Sequence, residues 1–135
     1  MGLWNAIQAS ASALTAERLR MDLIANNIAN VNTTRTPEGG PFQRQLAVLM
    51  PRRGKDPNVG MGVRAVGIAQ DNNPPRLVYD PGHPDANPEG YVAMPNVHVV
   101  TEMVDLITAS RAYEANVTAI NAAKEMAAKA LEIGR

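Results

Sequence analysis

Asp80, His83 and Asp85 place three potential metal ligands within six residues, and a carboxylate–imidazole set of that kind can hold a hard or borderline cation. The same residues read as turn formers. Asp80-Pro81-Gly82 and Pro84-Asp85-Ala86-Asn87 are turn sequences with a solvent-facing histidine between them. A turn without a metal is the expectation. His98 stands in a valine-rich segment and has no recognisable catalytic partner. Ser10, Ser12, Thr33, Thr34 and Ser110 lack the strained turn or the His-acid company that activates a nucleophile. Gly60-Met61-Gly62 is not continued into a phosphate loop or a dinucleotide fingerprint, so it reads as a turn or a flexible strand edge. Arg52-Arg53-Gly54-Lys55 could touch an anion, but three charges in a turn-rich stretch usually form a solvated loop. No enzyme, cofactor or metal is expected.

The elements that would have to position any site are easier to read. The chain has 135 residues, enough for one domain with a modest core. Thirteen basic residues balance thirteen acidic ones, so no long-range field favours nucleic acid or an anionic membrane. Cysteine is absent, which removes disulfides and thiolate chemistry. The opening Met-Gly-Leu-Trp-Asn-Ala-Ile has neither the basic start nor the apolar run of a cleaved secretory signal. No stretch approaches the ~20 apolar residues of a membrane span, so no direct membrane insertion is expected.

Breakers divide the chain. All ten prolines lie between Pro37 and Pro95, with eight of the ten glycines, leaving two proline-free arms. In the first arm Ile7, Leu14, Met21 and Ile28 recur every seven residues, and Leu3, Ile24 and Val31 neighbour them. Ser10 and Glu17 interrupt that stripe. Alanines fill much of the first half, so helix propensity is high while apolar burial is thin, and close approach of two helices is expected. The run Asn26-Asn27-Ile28-Ala29-Asn30-Val31-Asn32-Thr33-Thr34 weakens the helix before Pro37 stops it, which predicts a helix over about 3–31. In the last arm Met103, Leu106, Tyr113, Val117, Ile120, Ala127 and Leu131 follow three-four spacing, with Thr101 as the expected N-cap.

The middle predicts short strands: Phe42, Leu46, Val48 and Met50 on one parity with Arg44 interrupting, then 63–69, 76–79 and 91–94. Polar turn-forming connections fall at 51–58 and 80–90. The expected fold is mainly α with a small β module. Long N- and C-terminal helices form an antiparallel, coiled-coil-like pair around an inserted β-hairpin-rich segment, divided as 1–35, 36–96 and 97–135. Each ~45 Å helix is too long for a small β module to cover, so its remaining apolar surface calls for other chains.

Specific segments go further. Ile24-Ala25-Asn26-Asn27-Ile28-Ala29-Asn30-Val31-Asn32-Thr33 resembles the N-terminal signature of the flagellar axial proteins, the rod, hook and hook-junction family. Its continuation through Pro37 to Gln45 is similar to the proximal-rod branch. So are Tyr79-Asp80-Pro81, His83-Pro84-Asp85, Gly90-Tyr91-Val92, and the stretch from Val97 to Arg135 with Ser110-Arg111-Ala112-Tyr113-Glu114-Ala115-Asn116. Residues 51–75 carry the least of the likeness.

The resemblance implies a structural subunit of the flagellar basal-body proximal rod. It would leave through the type III export apparatus without cleavage of a signal, and its terminal helices would polymerise as the inner layer of a hollow driveshaft. Other rod proteins, copies of itself, the rod-basal adaptor and the rod-capping factor are the implied partners, in the periplasmic rod. Within that frame Ile7, Leu14, Met21, Ile28, Tyr113, Val117, Ile120 and Leu131 are expected to form the seam inside one chain. Asn26, Asn27, Asn30 and Asn32 are expected to hydrogen-bond to neighbouring subunits, although helix termination also accounts for them.

Overall fold

The computed structural model describes residues 2–134. The two proline-free arms are helices, α1 over Gly2–Ala29 and α2 over Val99–Ile133. At 1.5 Å per residue they are roughly 42 and 52 Å long. After Ala29 the backbone tightens: Val31 N–H bonds to Ile28 O at 3.2 Å and Thr33 N–H to Asn30 O at 3.0 Å. These three-residue steps unwind the helix within the asparagine run.

α2 begins earlier than Thr101. His98 is its N-cap residue, without a side-chain cap, and its carbonyl accepts Glu102 N–H at 2.9 Å. Buried Pro95 and Val97 fix the chain just ahead, so tertiary anchoring overrides the capping preference of Thr101.

Between the helices lie two separate antiparallel pairs. β1 (Gln45–Arg53) pairs with β2 (Gly60–Gln70), and β3 (Arg76–Tyr79) with β4 (Tyr91–Met94). Residues 51–53, expected in a connection, complete β1 instead, and Gly60-Met61-Gly62 opens β2. Pro51 is tolerated because a two-stranded ribbon consists only of edges and because its register is irregular between Pro51 and Arg53. In the second pair Tyr79 faces Tyr91, their rings edge-on with centroids 5.3 Å apart.

Among the helices and strands only α1 packs on α2. It must therefore cover both Ala109 (0 % exposed) and Ala123 (4 %), fourteen residues apart on α2. Asn27, near the end of α1, meets Glu102, near the start of α2, so the helices run antiparallel. The ribbon lies along another side of α1. Its closest approach is at Gly62, where φ is +94° and a Cβ would stand 2.1 Å from Ser12 Oγ. Ser12 Oγ accepts Val63 N–H at 3.0 Å and donates to Ala9 O at 2.7 Å, stitching ribbon to helix.

The apolar core is small: Ala16, Leu23, Ile24, Val92, Val97, Ala109 and Ala123. Three of these are alanines, which bring the helix backbones close and bury little area. No helix of the described residues is long and apolar enough to cross a membrane.

Candidate interaction surfaces

The most buried side chains at the junction of helices and ribbon are polar. Asn27 is wholly buried; its Nδ2 donates to Gln45 O at 3.0 Å and to Glu102 Oε2 at 3.3 Å, and its Oδ1 accepts Gln45 N–H at 2.9 Å. It thus satisfies both main-chain groups of the first residue of β1, as a neighbouring strand would. Glu102, 1 % exposed, receives Arg44 Nε on its other oxygen. The same guanidinium lies 3.6 Å from Asp71 and 3.5 Å from Asp105. Asn96 closes the knot, accepting Arg44 N–H at 2.9 Å and donating to Asp71 O and Asn73 O.

Burial works to lower the Arg44 pKa, but the hydrogen bond and charge of Glu102 and the charges of Asp71 and Asp105 outweigh it and hold the pKa above its ordinary value. The guanidinium stays charged at every working pH, and the knot joins residues 27, 44–45, 71, 96 and 102–105. Arg44 was legible as an anomaly, a charge on the apolar parity of a strand, which calls for a partner when the position is covered. Nothing local identifies Glu102 as that partner.

The surface of the whole chain is large and exposes many apolar side chains. The chain exposes 9395 Å², whereas a compact monomer of its 14.5 kDa exposes about 6,900 Å². The surplus of about 2,500 Å² equals roughly three times what one partner contributes to an ordinary protein–protein interface. On α2, Val100 (75 % exposed), Met103, Val104 and Ile107 form an i, i+3, i+4, i+7 stripe turned away from α1. Met103, grouped with the seam by its spacing, belongs to this outer stripe. At the other end of α2, Leu131 and Ile133 are 75 % and 85 % exposed, and Trp4 on α1 is 60 % exposed.

The expected seam residues divide. Ile7, Leu14, Met21, Ile28, Tyr113 and Ile120 are half-buried, flanking the fully buried line of Ser12, Ala16, Leu23, Ile24 and Asn27 on α1 and of Glu102, Ala109 and Ala123 on α2. Val117 and Leu131 remain exposed. The four asparagines divide as well. Asn27 is buried inside the chain, and Gln45 and Glu102 use its hydrogen-bonding capacity. Asn26 donates to Gln45 Oε1 at 3.2 Å at the surface; Asn30 bonds back to Asn26 and accepts from Thr33; Asn32 is exposed.

His83 Nδ1 accepts the Asp85 amide at 3.0 Å, and the Asp85 carboxylate takes Thr34 Oγ1 at 2.7 Å and the Arg35 guanidinium. Those hydrogen bonds hold the Asp85 pKa below the usual carboxylate range. The turn is thereby latched to the segment that leaves α1. Among the described residues no three His, Cys, Asp or Glu side chains converge as metal ligands would.

Comparison with known proteins adds two family matches and full-length relatives. Residues 7–35 match the family described as flagella basal body rod protein, and residues 89–133 match the flagellar basal body rod FlgEFG protein C-terminal family. The chain is 48 % identical to the flagellar basal-body rod protein FlgC of Borreliella burgdorferi over 98 % of both chains. It is 45 % identical to that of Bacillus subtilis and 39 % identical to that of Escherichia coli O157:H7, over the whole of each.

Proposed function

Because the chain belongs to the flagellar basal-body rod protein FlgC family, we propose that its paired terminal helices are the polymerising element of a hollow driveshaft that carries torque from motor to hook. It is a structural subunit of the basal-body rod, serving motility, and not an enzyme. Its place is the flagellar basal body, and its neighbours are other rod components and copies of itself.

On this reading the chain travels through the type III export apparatus without losing a signal peptide and joins the rod in the periplasm, with the rod-basal adaptor and the rod-capping factor among its partners. Residues 1–35 and 97–135 serve as the two halves of a coiled-coil-like inner helical domain, and 36–96 as the module beside it. Ile7, Leu14, Met21, Ile28, Tyr113 and Ile120 serve as the seam within a chain, while Val117 and Leu131 act towards neighbours. Asn26, Asn30 and Asn32 remain available between subunits.

The observation that carries the reading is the surplus surface, apolar at both ends of α2 and uncovered in a single chain. Burying it on docking offsets the conformational entropy of two long helices that a thin alanine seam offsets poorly alone. Contacts of this heterologous type continue without closing and build a tube.

The test is incorporation into rods isolated from cells whose own copy has been removed. The unaltered chain is expected in those rods and Ile120→Asp is not, because that half-buried position would strand a carboxylate in an apolar contact. Rods that form without the unaltered chain would sink the reading.

A further inference from the structure

The arginines at the turn end of the ribbon do not form the solvated loop that their sequence suggests. Arg52 and Arg53 complete β1, and Arg64 lies on β2 opposite Met50. Between the pairs Pro51–Val63 and Arg53–Gly60 the register slips, so Arg52 alone faces two residues, Met61 and Gly62. A bulge of this kind bends the strand and re-aims the side chains beside it. Gly62 is also where the ribbon touches α1, with Val63 N–H held by Ser12 Oγ at 3.0 Å. The bulge is therefore fixed against α1 and not free in solvent.

The result is a cleft of about 530 Å³ between Gln8 of α1 and the ribbon. Met50, Pro51 and Met61 supply its apolar surface. Met61 is fixed from behind, since a Cβ at Gly54 would stand 2.9 Å from its Cγ. Arg52, Arg53 and Arg64 supply its charge, and all three are exposed. None of them makes an ion pair or a side-chain hydrogen bond among the described residues, whereas Arg20, Arg35 and Arg44 each reach a carboxylate.

No carboxylate balances the three. They are the only charged residues of β1 and β2, and α1 carries no charge before Glu17, nine residues beyond Gln8. Asp56, in the turn, accepts Asn58 N–H at 2.9 Å, and no acidic residue lines the cleft. Like charges held around an apolar floor repel one another. Carboxylates relieve that repulsion, and each guanidinium can take both oxygens of one.

We propose that this cleft is a docking site for an acidic peptide segment of another protein, whose carboxylates pair with Arg52, Arg53 and Arg64 around an apolar side chain set on Met50 and Met61. Methionine thioethers adapt to the shape of such a side chain. Two other anionic partners fit worse. Nucleic acid needs a longer basic track and aromatic stacking, and neither strand has an aromatic residue. A lipid surface needs apolar groups that project past the basic ones, whereas Met61 is half-buried against Gly54. The cleft lies within one chain, so its occupancy does not depend on the rod reading.

Binding of the fluorescein-labelled peptide Glu-Glu-Leu-Glu-Glu to the full chain, followed by fluorescence anisotropy, tests the site. The unaltered chain is expected to bind it, and more tightly than Gln-Gln-Leu-Gln-Gln or Glu-Glu-Ser-Glu-Glu. These peptide comparisons hold whether or not a variant folds. R52Q/R53Q/R64Q is expected to weaken binding at least about tenfold. R18Q/R76Q/R111Q removes the same charge from exposed arginines outside the cleft and is expected to bind as the unaltered chain does. Absence of binding, indifference to leucine, or equal loss in the two arginine sets overturns the proposal. Two further outcomes also overturn it. Cosedimentation with phosphatidylglycerol vesicles that R52Q/R53Q/R64Q abolishes would assign the cleft to a membrane, and self-association that the same set abolishes would assign it to a second copy.

Discussion

Asn27 and Asn30 stand three residues apart in one asparagine-rich run, yet their surroundings give them different consequences. Removing the Asn27 amide leaves the Gln45 N–H without its acceptor, the Gln45 carbonyl without its donor, and a buried Glu102 oxygen short of a hydrogen bond. A stranded buried polar group costs on the order of 1–3 kcal/mol. Asn27→Ala is therefore expected to lower markedly the urea concentration at which rods dissociate, whereas Asn30→Ala, whose bonds are at the surface, shifts it little. Equal shifts would contradict the placement of Asn27 inside the chain. A second residue-scale effect concerns pH. The Asp85 pKa is lowered by Thr34 and Arg35 in the folded chain, so the latch contributes fully above the unfolded carboxylate pKa of about 4 and is lost as pH falls through the lower folded value. Protease cleavage within 80–90 should stay slow at neutral pH and rise only below about pH 4. Asp85→Asn should be cleaved readily already at pH 7.

At the scale of elements, the ribbon depends on one glycine. Gly62 has φ of +94°, and an added Cβ would meet Ser12 Oγ at 2.1 Å and Ala9 Cα at 3.0 Å. The last of these atoms is helix backbone and cannot give way. Gly62→Ala should cost on the order of 1–3 kcal/mol and detach the β1–β2 ribbon from α1, read as faster amide exchange at Val63. Unchanged protection there would show that the approach is looser than the geometry indicates. Periodicity and breakers made the elements themselves legible: α1 lies within about two residues of its expected bounds, α2 is capped three residues before the expected Thr101, and the expected 76–79 and 91–94 strands coincide with β3 and β4. What joins the elements was not legible. Heptad spacing in α1 leads to Ile7, Leu14, Met21 and Ile28, but the fully buried line runs through Ser12, Ala16 and Asn27, because α1 packs on the ribbon as well as on α2 and so covers a second face. Small and polar side chains win those positions through close approach and complete hydrogen bonding. Neither property shows in a hydrophobic pattern.

For the whole molecule, one long helix has two kinds of apolar position, and they separate folding from assembly. Ile120 is half-buried on the side of α2 that includes Ala109 and Ala123; Leu131 is 75 % exposed beyond the reach of α1. A carboxylate at 120 opposes pairing within the chain and so opposes everything that follows. At 131 a carboxylate remains solvated in the free subunit and costs little there. Its penalty arises only when a neighbour covers it, where desolvation of an unpaired charge costs several kcal/mol and each 1.4 kcal/mol is tenfold in occupancy. Leu131→Asp should therefore leave the circular dichroism of the free chain unchanged while reducing its presence in isolated rods by at least tenfold. Wild-type levels of Leu131→Asp in rods would mean that the end of α2 stays in water after assembly. The surplus surface would then have to be covered elsewhere, by contacts along the exposed ribbon.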